Sequence, residues 1–168
     1  MIINGIENQF LEIQVQQYQY PQITEGKWDA NWLQVHFKIQ HPEAHIESNV
    51  PCLLTFEVES WAEWMEQLST NPAEAKSSHW FTEPCLYVQL LNEPSADIKH
   101  LRISFDLELK PKAFDQADRE FYLDFQLDNT QLVALAAALR AELAKFPVRG
   151  DLEEEYEPED YGEEDYEW

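Results

Sequence analysis

Along most of this chain apolar and polar residues alternate one by one, the pattern of strands with one buried and one wet face. Phe10 to Tyr20 predicts a first strand, with Leu11, Ile13 and Val15 on one side. The phase breaks at Gln16-Gln17, after which Tyr18 and Tyr20 are the bulky residues, and such a break predicts a bulge. Trp32 to Ile39 predicts a second strand with Leu33, Val35, Phe37 and Ile39 inward. Cys52 to Val58 predicts a third, burying Leu54, Phe56 and Val58. Leu86 to Leu90, Leu101 to Leu109 and Phe121 to Leu127 complete six.

Two stretches change to the helical period. Trp61, Met65 and Leu68 recur at i, i+4 and i+7 with Trp64 beside them, predicting a short amphipathic helix from about Ser60. Asp128, with Gln131 three residues on, makes a capping box that satisfies orphan amides of a second helix. Leu132, Leu135, Leu139 and Leu143 form its apolar stripe, and Pro147 ends it. The order is therefore βββα-βββα. Short links favour antiparallel pairing, because parallel strands need long crossovers. The expected fold is α+β: about six mostly antiparallel strands in one curved sheet, with two helices on its apolar face.

The halves also share wording. Leu54-Thr-Phe-Glu-Val-Glu-Ser60 reads onto Leu123-Asp-Phe-Gln-Leu-Asp-Asn129, and Leu33-x-Val-x-Phe-x-Ile39 reads onto Leu101-x-Ile-x-Phe-x-Leu107. A βββα duplication explains this likeness, and so does convergence of alternating strands.

Charge changes the picture most. Eleven basic residues face 33 acidic ones, for a net charge of −22. Asp151 to Trp168 holds 11 of the acids and no base, so the rest of the chain still carries −11. Pro158 and Gly162 oppose a helix there. The chain thus divides into a single domain over residues 1–149 and an acidic tail over 150–168, expected to be disordered. The tail has two readings. It is a solubilising segment, or it mimics nucleic acid, with Glu153, Glu154, Glu155 and Asp160 in place of phosphates and Tyr156 and Tyr161 in place of bases.

Such a charge disfavours direct binding to nucleic acid or to an anionic membrane, since both require a basic footprint. It favours a basic protein partner, steered in at long range. On the wet sheet face the outward positions include Gln34, His36 and Lys38, then Thr55 and Glu57, then Arg102, Ser104, Asp106 and Glu108, then Asp124 and Gln126. The expected partner contacts are the carboxylates among them, Glu57, Asp106, Glu108 and Asp124, together with the six tail residues just named. An ordinary solvated face explains the same pattern.

Motifs for chemistry are missing from the sequence. His36, His41 and His45 fall within ten residues but match no zinc spacing. The four glycines, Gly5, Gly26, Gly150 and Gly162, are too scattered for a phosphate loop, and no Gly-x-Ser-x-Gly elbow occurs. Cys52 and Cys85 each sit in a Pro-Cys-Leu tripeptide and read as buried thiols. No catalytic residue, metal ligand or cofactor is expected. The N-terminus lacks the pattern of a signal peptide and no apolar run suits a membrane span, so the expected location is the cytoplasm.

One resemblance stands out. Asp29-x-Asn31-Trp32-Leu33, then Pro51-Cys-Leu-Leu-Thr-Phe-Glu57 running into Trp61-Ala62-x-Trp64, resembles the WapI-like family of bacterial immunity proteins. So do Phe81-x-Glu83-Pro84-x-Leu86 and the closing stretch from Leu132 to Pro147. The likeness runs over about residues 29–147 and leaves the tail out. It implies a cytoplasmic protein that binds and silences a toxin, the family being named for the antidote to a wall-associated toxin that cleaves transfer RNA. It assigns no contact residues. The rival readings are a small enzyme of unknown type and a housekeeping interaction module.

Overall fold

The computed structural model of the chain describes residues 1–150 and Leu152. In chain order the elements are β1 (Ile2–Asn4), β2 (Phe10–Tyr18), β3 (Trp32–His41), β4 (Ala44–Leu54), α1 (Thr55–Thr70), β5 (Ser78–His79), β6 (Leu86–Leu90), β7 (Ile98–Phe105), α2 (Lys112–Gln116), β8 (Phe121–Asp128) and α3 (Asn129–Leu143). The fold is α+β, but the single curved sheet is corrected to two. One four-stranded antiparallel sheet runs β1-β2-β3-β4 and the other runs β5-β6-β7-β8. Eight strands replace the expected six, and a third helix, α2, is added.

The reason lies in the links. Hairpins let each half close its own ladder, while α1 and the loop after it separate β4 from β5. The free edge of β8 is also blocked. Ile6 N–H donates to the Asp124 carbonyl at 3.1 Å, and Asp124 N–H donates to Gln9 Oε1 at 2.6 Å. Gly5 permits this approach: a Cβ there would lie 2.8 Å from the Asp124 carbonyl oxygen. The strands missed from sequence, β1 and β5, are only three and two residues long, too short for alternation to register.

Boundaries moved where caps overrode alternation. Of the expected strand Cys52–Val58 only Cys52–Leu54 is extended: β4 runs from Ala44 to Leu54 and α1 begins at Thr55. Glu57 takes the third helical position and its Oε2 accepts the Leu54 N–H at 2.9 Å, which fixes the first turn. The strand expected to reach Leu109 stops at Phe105, because Asp106 caps a 3-10 turn over Leu107–Leu109 and Leu107 adopts a positive φ of 51°. Leu107 is consequently exposed rather than inward. The bulge in β2 is present, with the register shifting between Val15 and Gln17. The Asp128 box is present too: Gln131 N–H meets Asp128 Oδ1 and Asp128 N–H meets Gln131 Oε1, both at 2.8 Å.

Both sheets and the long helices share one continuous core, with Phe37 and Leu53 from the first half buried alongside Phe125, Leu132 and Leu139 from the second. Helices α1 and α3 pack on each other, and Arg140 of α3 clamps Glu59 at 2.7 Å and Glu66 of α1. Glu43 at the β3–β4 turn holds Arg119, before β8, at 2.7 Å. Cys52 and Cys85 are buried free thiols, with the Cys85 Sγ 3.9 Å from the Cys52 carbonyl oxygen.

Both halves have four strands and end in a long helix, with α2 inserted before β8 in the second. The residue alignment of Leu54–Ser60 onto Leu123–Asn129 does not survive, since the first segment is a helix start and the second is strand β8.

The segment after α3 straps back onto the first sheet. Asn31, fully buried, receives the Thr55 hydroxyl at 2.6 Å and Arg149 N–H at 2.9 Å. Its amide donates to the carbonyls of Lys27 and Arg149, both at 2.8 Å. The Arg149 guanidinium lies 3.3 Å over the Tyr18 ring and donates to the carbonyls of Pro21 and Ile23. Gly150, at a φ of 68°, packs backbone against backbone on Gly26, where any Cβ would lie 2.6 Å from the Gly26 carbonyl oxygen.

Candidate functional site

The outer face of the second sheet has the geometry of a binding surface. Ladder register lines up its outward side chains in rows: Tyr87, Ser104 and Tyr122 in one, and Gln89, Arg102 and Asp124 in the next. Each strand buries its alternate residues, for example Leu86, Val88 and Leu90 in β6, so the row residues have nowhere to point but out.

Two devices organise this face. Arg102 Nε and Nη2 donate to the two carboxylate oxygens of Asp124, each at 2.8 Å, a planar two-bond fork. These bonds hold the Arg102 guanidinium above its ordinary pKa range. The same guanidinium lies 3.6 Å over the Tyr122 ring. On the other side, Trp80 stacks on Tyr87 with centroids 4.0 Å apart and planes inclined by 31°. Trp80 is 69% exposed, the most of any large apolar residue described.

Between these devices opens a hollow of about 400 Å³. Phe81, Leu86 and Phe105 give its apolar wall, and Asp106, Lys110 and Glu120 its charged rim. Lys110 is poised between Asp106 at 4.0 Å and Asp115 at 3.8 Å. The combination is a half-apolar floor with a few oriented charges, the make-up of recognition sites in general.

Of the expected contact residues in the described part, three lie on this face or its margin, and one of them, Asp106, lines the hollow. Asp124 sits on the sheet face, Asp106 on the rim, and Glu108 in the 3-10 turn next to it, lining a neighbouring cleft with Asp106. Glu57 does not. It is 7% exposed, and its second oxygen accepts Thr82 N–H at 2.5 Å, so both carboxylate oxygens serve the fold. Thr55 is likewise buried, against Asn31. The tail residues Glu153, Glu154, Glu155, Tyr156, Asp160 and Tyr161, and the expected disorder there, lie outside the described residues. The aromatic members were missed from sequence. Tyr87 and Tyr122 sit at outward positions of strands whose inward residues are all apolar, and bulky aromatics on the wet phase were the available signal.

A second hollow beside α1 brings Ser60 within 3.5 Å of His79 Nε2. Burial pushes His79 down to about 4, with the Lys76 charge as a lesser cause, so its imidazole is neutral near pH 7. Ser60 donates its one hydroxyl proton to the Glu57 carbonyl at 3.0 Å, an ordinary helix bond, and a single proton cannot also serve His79. Among the described residues no group of three His, Cys, Asp or Glu side chains is placed to hold a metal ion. No helix among them is long and apolar enough to cross a membrane.

Compared with known proteins, the chain matches one family model, described as the Immunity protein WapI-like family, over residues 1–147. The match reaches the first residue and stops where the strap begins. No curated protein and no solved structure matches the chain.

Proposed function

Because the chain belongs to the WapI-like immunity protein family, we propose that it is an antidote that binds and neutralises a cognate toxin in the cytoplasm. It works by occupancy and turns over no substrate. The family match over residues 1–147 carries this reading. The charge supports a further step: at −22 the partner is a basic protein domain, of the kind that grips RNA, and the toxin is a nuclease. The contacts run through the second half of the molecule, where Asp106 lines the Trp80 hollow, Glu108 a neighbouring cleft, and Asp124 holds Arg102 on the sheet face.

The test is to express a toxin-domain reading frame taken from the neighbourhood of this gene, alone and with the full chain, and to score growth and complex formation. Protection with a stable complex is expected. Association should slow steeply with salt while dissociation changes less, because screening shortens to about 3 Å at 1 M. A chain that neither protects cells nor binds the toxin overturns the reading for that pair.

A further inference from the structure

Resting on the antidote reading, we infer that the hollow on the second sheet is where the toxin docks, and that it takes a cationic side chain held between the Trp80 ring and the Glu120 carboxylate. Charge complementarity makes the case. The two cations in the hollow are already engaged, Arg102 by the Asp124 fork and Lys110 by Asp106 and Asp115. Glu120, on the same rim, acts on Arg102 only as the least of several nearby charges and makes no ion pair among the described residues. An incoming arginine or lysine therefore meets an unspent carboxylate beside an open aromatic face.

The protein already holds one guanidinium in this way. Arg102 lies 3.6 Å over the Tyr122 ring while forking to Asp124, an aromatic ring and a carboxylate sharing one cation. Trp80 and Glu120 repeat those two ingredients across the hollow without a cation of their own. Trp80 is a rigid anchor as well, since stacking on Tyr87 fixes its ring before a partner arrives and little side-chain entropy remains to be lost. Trp, Tyr and Arg are the residue types in which interface energy concentrates. Trp28, the other exposed indole among the described residues, is already engaged by Lys27 at 5.3 Å and Phe56 at 6.0 Å.

The experiment measures affinity of the full chain for the neighbouring toxin domain in wild type, Trp80→Ala, Glu120→Lys and, as a charge-matched control on the first sheet, Glu47→Lys. All three substitutions are surface changes, and circular dichroism checks that each variant is folded. Trp80→Ala and Glu120→Lys should each weaken binding about tenfold or more, with Glu47→Lys within about twofold. If all variants bind as wild type does, the hollow is not the docking face, while the antidote reading stands. If wild type binds no toxin, the antidote reading fails, and a tri-arginine peptide decides the chemistry. A shift of the Trp80 indole N–H resonance, lost in Glu120→Lys and absent with tri-glutamate, supports the cation site; no shift overturns it. A Trp80-dependent homodimer with unaltered toxin binding would assign the face to a second copy and overturn it too.

Discussion

The two sheets present outer faces that alternation alone makes look equivalent, yet they are built for different ends. On the first, Glu47 is met by His36 at 3.5 Å, Lys38 at 3.9 Å and His45 at 3.8 Å, and His36 also bonds Asn49 at 3.1 Å. Its central positions are short or polar and pair with one another across the ladder. On the second, tyrosines occupy outward positions, a tryptophan leans over the edge, and a hollow opens beside them. A polar face whose charges are paired internally stays wet at little cost and offers a partner nothing to bury. Exposed aromatic area beside an unpaired carboxylate leaves free energy to be gained on contact. Binding capacity is thus set by which side chains fill the outward phase, and not by the alternation itself.

The comparison presumes that both halves hang on one core, and the largest predicted effects test that. Leu139→Ala in α3 and Leu68→Ala in α1 each truncate a fully buried side chain and should each cost about 2–5 kcal/mol. Both should lower a single calorimetric transition by about 2–4 °C per kcal/mol. Two resolved transitions, each sensitive to one variant only, would show that the halves are separate bodies.

Next comes an asymmetry between the halves. Helix α3 starts on its own Asp128–Gln131 box, whereas the start of α1 is tied through Asn31 to the strap at Arg149. Asn31→Ala leaves the buried Thr55 hydroxyl and the half-buried Arg149 amide without their acceptor and should cost about 3 kcal/mol in urea unfolding. Asp128→Ala, at an exposed cap, should cost only about 1 kcal/mol. Equal costs would remove the asymmetry.

How far these features could be read from sequence follows from what each residue has to satisfy. Alternation placed Leu33, Val35, Phe37 and Ile39 inward correctly because burial of one face is a local property. It failed at Leu54–Val58, where Glu57 serves both the first turn of α1 and Thr82, a bond across 25 residues that no local pattern announces. It failed at Leu107 for a similar reason, since the Asp106 cap ends the strand. Sheet number was out of reach: nothing in the strands says that β4 and β5 go unpaired, or that the Gly5–Gln9 loop seals β8. The expected acidic residues were legible as charge and not as place: Asp106 lines the hollow, Glu108 a neighbouring cleft, Asp124 forks to Arg102, and Glu57 is spent inside. The Trp80 hollow needs Trp80, Arg102 and Glu120 from three different segments.

Acid should expose another difference. His79, beside α1, protonates at about 4 in the native state against 6.5 ordinarily. Between those values the unfolded chain takes up a proton that the native one does not, so stability rises with pH across that window and levels off above it. Allowing for partial exposure, the change is about 1–2 kcal/mol. Urea midpoints of wild type and His79→Gln at pH 5 and pH 7 check it; an unchanged pH slope in the variant would show that other groups carry the effect.

The surface forks give a smaller and more direct test of the opening contrast. A double-mutant cycle on Arg102 and Asp124, both about three-quarters shielded, should return about 0.5–1 kcal/mol, and one on Lys38 and Glu47, both about half exposed, close to zero. Coupling of the same size on both faces would mean that the second sheet is no more organised than the first.

The smallest effect is expected where the most charge is removed. Ending the chain at Gly150 deletes 11 acids and takes the net charge from −22 to −11. Every contact of the strap is kept: Asn31 to Arg149, Arg149 to Tyr18, and the Gly26–Gly150 approach. Less self-repulsion favours the compact state, which offsets whatever the deleted residues contributed. The melting temperature should therefore stay within about 2 °C of the full chain, with any gain shrinking in high salt. Ending at Phe146 instead removes Pro147, whose carbonyl accepts the Tyr18 hydroxyl, and Arg149 with it, and should cost as much as Asn31→Ala. A chain ending at Gly150 that melts as low as the one ending at Phe146 would place the domain boundary beyond Gly150, because residues past the strap would then be doing its work.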